Sequence, residues 1–404
     1  MLDDRTLDRY ATAIVRSCLA VRPDDLIAVH GEPAHRDLIL AVTRAAYAAG
    51  ARYVDVMFVD PAARRARVDA SSPDHLDYQP PWAEKRLRDL AAARGASLSI
   101  NGPSAPKLMN DADPARAARE RSTRIPGHKT YLREVQRNGL RFCVVAFPLE
   151  GWCAPVYPEL SPAEATRAVA ADLAAFCRVS PDDPDDAWDR HVETLTARAA
   201  WLNGLDLDRI VLRAPGTELE VGMARGARWC AADDETTHGD RFRANMPTEE
   251  CFTSPDPRRT SGTFRCTRPL TLDGRRIEGI HGRFARGRLV EIDADGEADR
   301  QYLAAYLARD RGAGRLGEVA LVDASSRIGA TGRTYGITLL DENASSHIAF
   351  GSGYSATRLP GGDRVNDSGI HVDVMIGSDE MEVTGYTGAG EAVPIVRDGL
   401  FQLR

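Results

Sequence analysis

Residues 26–59 read LIAVHGEPAHRDLILAVTRAAYAAGARYVDVMFV, and this stretch decides the fold of the first half of the chain. A β-rich apolar run at 26–30 is followed by apolar positions at helical spacing over 38–49, then by a second β-rich run at 53–59. Strand, amphipathic helix, strand is the pattern of a βαβ unit, whose strands lie parallel in one sheet. The alternation continues downstream, with β-rich runs at 98–101 and 142–146 and a helical pattern over 82–93. Gly31-Glu32-Pro33 follows the first run but lacks the GxGxxG or GxxxxGK spacing that brings backbone amides onto a phosphate. The first half is therefore not read as a nucleotide module.

Moving outward, Pro-rich and acidic residues at 180–186 precede a helix expected over 188–205, whose Arg and Leu spacing suits a link between domains. From residue 210 the texture changes to short strands with Gly-containing turns, as at 218–223, 262–267, 288–292 and 372–376, with one packed helix at 300–307. At 404 residues the chain is too long for one ordinary core. The expected fold class is α/β. An N-terminal α/β domain over 1–205 carries a mostly parallel sheet, and a C-terminal α+β domain over 206–404 carries a mixed, largely antiparallel one. No internal repeat or low-complexity tract interrupts either part.

With 43% hydrophobic and 27% charged residues the chain is globular in composition. A formal charge of −7, with no aromatics interleaved in a basic run, argues against nucleic acid as a partner. Of 52 basic residues only Lys85, Lys107 and Lys129 are lysine, which reads as genome composition bias. The N-terminus carries Asp3, Asp4 and Asp8 in place of the apolar core of a secretory signal. No apolar run approaches the roughly 18 residues of a membrane span. Seven scattered cysteines without a CxxC pair fit neither a disulfide framework nor a zinc ribbon, so a cytoplasmic location is expected. Cys251 stands out among them for its acidic neighbours.

Two of the nine histidines, His347 and His371, sit in segments dense with carboxylates. In His371-Val372-Asp373, strand alternation points residues i and i+2 to one face, where both could hold one cation. In 341–347 (DENASSH) a helix start capped by Asn343 or Ser345 is one reading; Glu342 and His347 converging on a metal is the other. Thr248-Glu249-Glu250-Cys251 adds two carboxylates. Glu318, flanked by Val, Ala and Leu, is costly to bury ionised unless a cation or Arg neutralises it; otherwise it lies on the solvated face of an edge strand. Together Glu250, Glu318, Glu342 and Asp373 supply four negative charges, and His347 and His371 two nitrogens. That set balances two dications and a bridging hydroxide, and its lack of thiolates disfavours a structural zinc site.

The motifs in order are Trp229 with Thr237 and Gly239, residues 245–250 (NMPTEE) with Phe252-Thr253, residues 315–322 (RLGEVALV), residues 340–349 (LDENASSHIA), Tyr354, and residues 371–378 (HVDVMIGS). In these the chain resembles the thermophilic-type metallo-aminopeptidases, the aminopeptidase T family; Phe147-Pro148, Gly151-Trp152 and residues 155–158 extend the likeness into the first half. Cys251 and Arg327 depart from the family pattern. The resemblance implies metal ligands at Glu250, Glu318, Glu342, His347, His371 and Asp373, with Glu318 bridging two divalent ions: zinc, cobalt, manganese or magnesium. It implies an active-site Tyr354 that donates to the developing oxyanion, and a general base among the glutamates, Glu249 included. A homodimer acting on peptides, and not on large folded proteins, is the expected form.

Two other readings stand beside this one. His347, His371 and Asp373 could form the two-histidine, one-carboxylate triad of a non-haem iron ring-cleaving dioxygenase on the same fold. A catalytically silent binding protein is the other, although no candidate ligand has been replaced.

Overall fold

The computed structural model describes residues 2–76, 78–121, 134–135, 138–184, 186–272 and 275–403; Met1, Lys129 and Asp185 lie outside them. The chain divides into two compact units, one comprising Met1–Asp189 and Asp233–Pro247, the other Arg190–Ala232 and Thr248–Arg404. The single cut between residues 205 and 206 expected from sequence gives way to three crossings. Two physical facts move it. The helix Ala187–Gly204 buries Ala199 and Leu202 in the core of the second unit, and Asn245–Met246 pairs with a strand of the first. Sequence texture reports strand type, whereas unit membership follows from which core a segment completes.

In the first unit β1 (Leu26–Gly31), β2 (Tyr53–Phe58), β3 (Ala96–Asn101), β4 (Arg141–Ala146) and β5 (Asn245–Met246) form a parallel sheet in the order β2-β1-β3-β4-β5. The helix Arg36–Ala48 joins β1 to β2 and buries Leu38, Ile39, Val42 and Ala46, the stripe that the sequence pattern picks out. The N-terminal residues form a helix, Asp4–Ala13, which the sequence reading did not anticipate. Asp3 caps it by accepting from the Thr6 amide at 2.8 Å, and Tyr10 turns inward to donate to the Ala146 carbonyl at 3.0 Å.

Strand order reverses at β1, and in doubly wound sheets ligands bind at the carboxyl ends of strands at such a point. Here those ends are tied to each other. Glu32 accepts from the Ser104 amide at 2.9 Å and from its hydroxyl. His35 accepts at Nδ1 from the Glu32 amide at 3.0 Å, which leaves Nε2–H to donate to the Gly102 carbonyl at 2.8 Å. Gly102 has a φ of +110°, and a Cβ there would meet the Phe147 carbonyl oxygen at 2.3 Å, so only glycine fits.

The second unit is built on two antiparallel sheets. The larger follows the order Arg288–Asp293, His281–Ala285, Thr260–Arg265, Thr217–Gly222, Leu207–Ala214, Glu382–Thr387, Ala392–Arg397, Leu400–Phe401. The smaller contains β6 (Glu250–Thr253), β7 (Leu316–Val322), β8 (His347–Gly351) and β9 (His371–Met375) in the order β6-β7-β8-β9. One apolar core joins Leu212, Leu219, Phe264 and Phe284 of the larger sheet to Val319, Leu321, Ile348 and Phe350 of the smaller. The parallel first sheet and the largely antiparallel second unit agree with the expected α/β plus α+β class. Among the described residues no helix is long and apolar enough to cross a membrane. All seven cysteines are free, and five of them are buried.

Candidate metal centre

Residues paired directly across an antiparallel ladder point to the same face of the sheet. Glu250 pairs with Val322 and Ala320 with His347; Glu318 pairs with Ala349, which pairs in turn with Asp373, and Gly351 pairs with His371. Alternation along β7 puts positions 318, 320 and 322 together, so Glu250, Glu318, His347, His371 and Asp373 share one face. Ala320, Ala349 and Gly351 lie between them and put little bulk on that face. The opposite face carries Cys251, Val319, Leu321, Ile348, Phe350, Val372 and Val374, all in the core. Five ligand-type side chains from four strands are thus gathered by nothing more than period-two alternation and register.

Glu318 is not on a solvated edge. β7 lies inside its sheet and is buried at every position from Leu316 to Val322. A bulge falls beside Gly317, where a Cβ would meet the Ser352 carbonyl oxygen at 2.3 Å. The 341–347 segment also departs from expectation. Glu342–Ala344 is a 3-10 turn, and His347 begins a strand where the capping reading placed it inside a helix. Ser345 is extended, with φ −163° and ψ 145°, and Ser346 Oγ accepts from the Val322 amide at 3.0 Å, which draws the chain onto β7.

Two groups of ligand atoms result, Glu250 with Glu318 and His347, and Glu318 with His371 and Asp373; within each, the atoms lie within 4.8 Å of one another. Glu318 belongs to both. Its Oε1 lies 3.8 Å from His347 Nε2 and its Oε2 lies 3.5 Å from His371 Nε2. Glu250 Oε2 lies 3.2 Å from His347 Nε2, and Asp373 Oδ1 lies 3.3 Å from His371 Nε2. Each imidazole is held from behind: Nδ1 donates to the Ser345 carbonyl at 3.1 Å in His347 and to the Ser352 carbonyl at 2.7 Å in His371. That leaves both Nε2 atoms turned toward the carboxylates, the orientation a metal-ligating histidine needs.

Electrostatics agree with a site built for cations. Burial raises the Glu318 carboxyl pKa, and it raises that of Glu342 strongly, with Asp373 and Glu250 adding to the effect. Burial opposes protonation of His371, but Asp373 and Glu318 outweigh it and push the imidazole up to about 9. His347 is raised well above its usual value against the same penalty by the carboxylates of Glu250 and Glu318 that face its Nε2. Among the described residues no Arg or Lys forms an ion pair with Glu250, Glu318, Glu342 or Asp373. Glu250 Oε2 is buried without a well-formed hydrogen bond. Three buried carboxylates, Glu250, Glu318 and Asp373, with the partly buried Glu342 beside them, are expensive to keep ionised without a counter-charge. Oxygen and imidazole donors in this set fit divalent cations.

Tyr354 stands beside the second group, with its hydroxyl 3.5 Å from His371 Nε2 and its ring against Phe252. Glu249 joins neither group. Its carboxylate lies 3.5 Å from Nε2 of His191 on the helix Ala187–Gly204, a partner that no local sequence signal marks. Cys251 points into the core, where its thiol donates to the Leu195 carbonyl and burial pushes its pKa up to about 12.

The chain is similar to known proteins along nearly its whole length. The family model described as "Thermophilic metalloprotease (M29)" matches residues 3–401. Aminopeptidase T of Thermus thermophilus is 34% identical over 405 residues, 98% of each chain. The solved structure of wild-type AmpT from Thermus thermophilus superposes with a TM-score of 0.91 at 32% identity, over 99% of each chain. A 2,5-dihydroxypyridine dioxygenase from Pseudomonas putida KT2440 shares the fold at a TM-score of 0.56 but only 14% identity, over 100% of this chain and 99% of that one. A family match across nearly the whole chain, with carboxylates and imidazoles collected on one sheet face, assigns the protein to the thermophilic metalloproteases (M29), as a metal-dependent aminopeptidase.

Proposed function

We propose that the enzyme releases N-terminal residues from peptides with two divalent cations bridged by Glu318. The observation that carries this reading is the division of the Glu318 carboxylate, one oxygen toward His347 and the other toward His371. Glu250, His347 and Glu318 would hold one ion; Glu318, His371 and Asp373 the other. Glu342, whose partly buried carboxyl lies within electrostatic reach of Asp373 and Glu250, adds the fourth negative charge. When bound, such a pair lowers the pKa of the water it holds toward about 7 and polarises the scissile carbonyl.

Burial, and then the neighbouring carboxylates, hold the Tyr354 phenol well above its ordinary pKa of 10, so a neutral hydroxyl is kept to donate to the oxyanion. The general base belongs among the glutamates in this reading, with Glu249 standing outside both ligand groups beside His191. Homodimer formation and a cytoplasmic location belong to the same reading and rest on the family resemblance and on the free cysteines. The iron triad reading is disfavoured by the geometry, because His347 falls in one ligand group while His371 and Asp373 fall in the other.

Titrating the metal-free protein with Co2+ or Zn2+ while following hydrolysis of leucine anilides tests the proposal. Two equivalents are expected at full activity. Glu318→Ala should bind fewer and lose at least about a thousandfold in kcat, the upper range for removing one preorganised electrostatic group. Full activity at one equivalent, or a Glu318→Ala enzyme that turns over normally, would remove the bridge.

A further inference from the structure

Between the strand that carries Glu250 and the turn that carries Glu342 lies a fully buried carboxamide, Asn343, with 0% exposure. Its Oδ1 accepts from the Glu249 amide at 2.7 Å, one peptide unit from Glu250. Its Nδ2 donates to the Leu339 carbonyl at 2.9 Å, which fixes the turn, and lies 3.4 Å from Glu342 Oε1. From below, Ser326 Oγ donates to the Asn343 carbonyl at 3.4 Å. A capping role for Asn343 is excluded, since a cap would turn its oxygen to amides of the following turn, and here it reaches 94 residues back along the chain.

Glu250 and Glu342 are separated by most of a domain's length of sequence, yet their carboxylates must meet with a tolerance of a few tenths of an ångström to serve one centre. An amide side chain suits the junction. It offers one acceptor and two donors without adding charge, whereas aspartate would place a fifth carboxylate beside Glu342.

We infer that Asn343 is a positioning residue for the metal centre, tying the Glu250 strand to the Glu342 turn and thereby setting cation affinity. The inference rests on the reading of Glu250 and Glu342 as ligands. Loss of partners that orient metal ligands typically lowers affinity by 10–100-fold.

The test uses the full-length metal-free chain and Co2+ alone, with affinity measured by competition against a chelator and geometry by the visible absorption of the bound ion. Asn343→Ala should bind Co2+ at least about tenfold more weakly and shift that absorption. Asn343→Ser, which keeps a hydroxyl too short to span both partners, should fall between Ala and wild type, and it covers the case of an Ala variant that does not fold. Glu250→Ala and Glu342→Ala run alongside. If they weaken Co2+ binding while both Asn343 variants bind within twofold of wild type with unchanged absorption, the positioning role is overturned. If Glu250→Ala and Glu342→Ala bind Co2+ as wild type does, the ligand assignment itself has failed, and the role of Asn343 falls with it.

Discussion

The carboxyl ends of β1 and β3 and the ligand-bearing face of the β6-β9 sheet draw on the same chemistry, glutamate and histidine on buried strands, with opposite outcomes. In the first unit Glu32 and His35 are consumed by the fold: Glu32 takes the amide and hydroxyl of Ser104, and both nitrogens of His35 bond to backbone. In the second, the backs of His347 and His371 are satisfied by carbonyls while their fronts face carboxylates that face one another. Buried polar groups that the chain can satisfy make a scaffold. Buried acids that it leaves facing each other make a place for cations.

The largest effect expected from this contrast is at the cation face. Tyr354→Phe keeps the ring on Phe252 and removes the hydroxyl beside His371; kcat on aminoacyl anilides should fall by about 10²–10³ with little change in KM. A variant as fast as wild type would show that the phenol only packs. At the strand ends the effect should be on stability alone. Glu32→Ala strips the Ser104 amide of its acceptor and should cost about 1–3 kcal/mol in denaturant unfolding, with the metal stoichiometry intact. Loss of metal in that variant would erase the distinction between the two regions.

The smallest effect concerns pH. Burial lowers the His30 imidazole pKa from 6.5 to about 4, with Asp55 opposing and Arg86 reinforcing the shift. The unfolded chain therefore takes up that proton first, so this contribution to stability is whole above pH 6.5 and is lost as pH falls toward 4. Melting curves of the metal-free protein across that window should show a shallower decline for His30→Gln than for wild type; parallel declines would assign the acid sensitivity elsewhere.

Much of this was legible in the chain itself. The βαβ pattern of residues 26–59 survives because a helix stripe and a buried strand are local consequences of residue spacing. The candidate ligands were legible too, as acids and histidines in apolar settings, and the structure gathers Glu250, Glu318, His347, His371 and Asp373 of that set into two groups. Three features were not. Asn343 looked like a cap because capping and long-range bonding use the same amide, and only the partner tells them apart. The polar partner of Glu249, His191, lies 58 positions upstream with no signal linking them. The unit boundary was misplaced because a helix announces its apolar face but not which core receives it.

The sequence by itself determined the two kinds of sheet, the chemical identity of the donors and their alternation along each strand, because these depend on neighbours a few residues apart. Tertiary structure alone decided that β7 is an inner strand, that register brings Glu250, Glu318, His347, His371 and Asp373 to one face, and that Glu318 stands between two groups. Strand order and register arise from contacts between distant segments, and a slip of one residue would have turned those acids into the core.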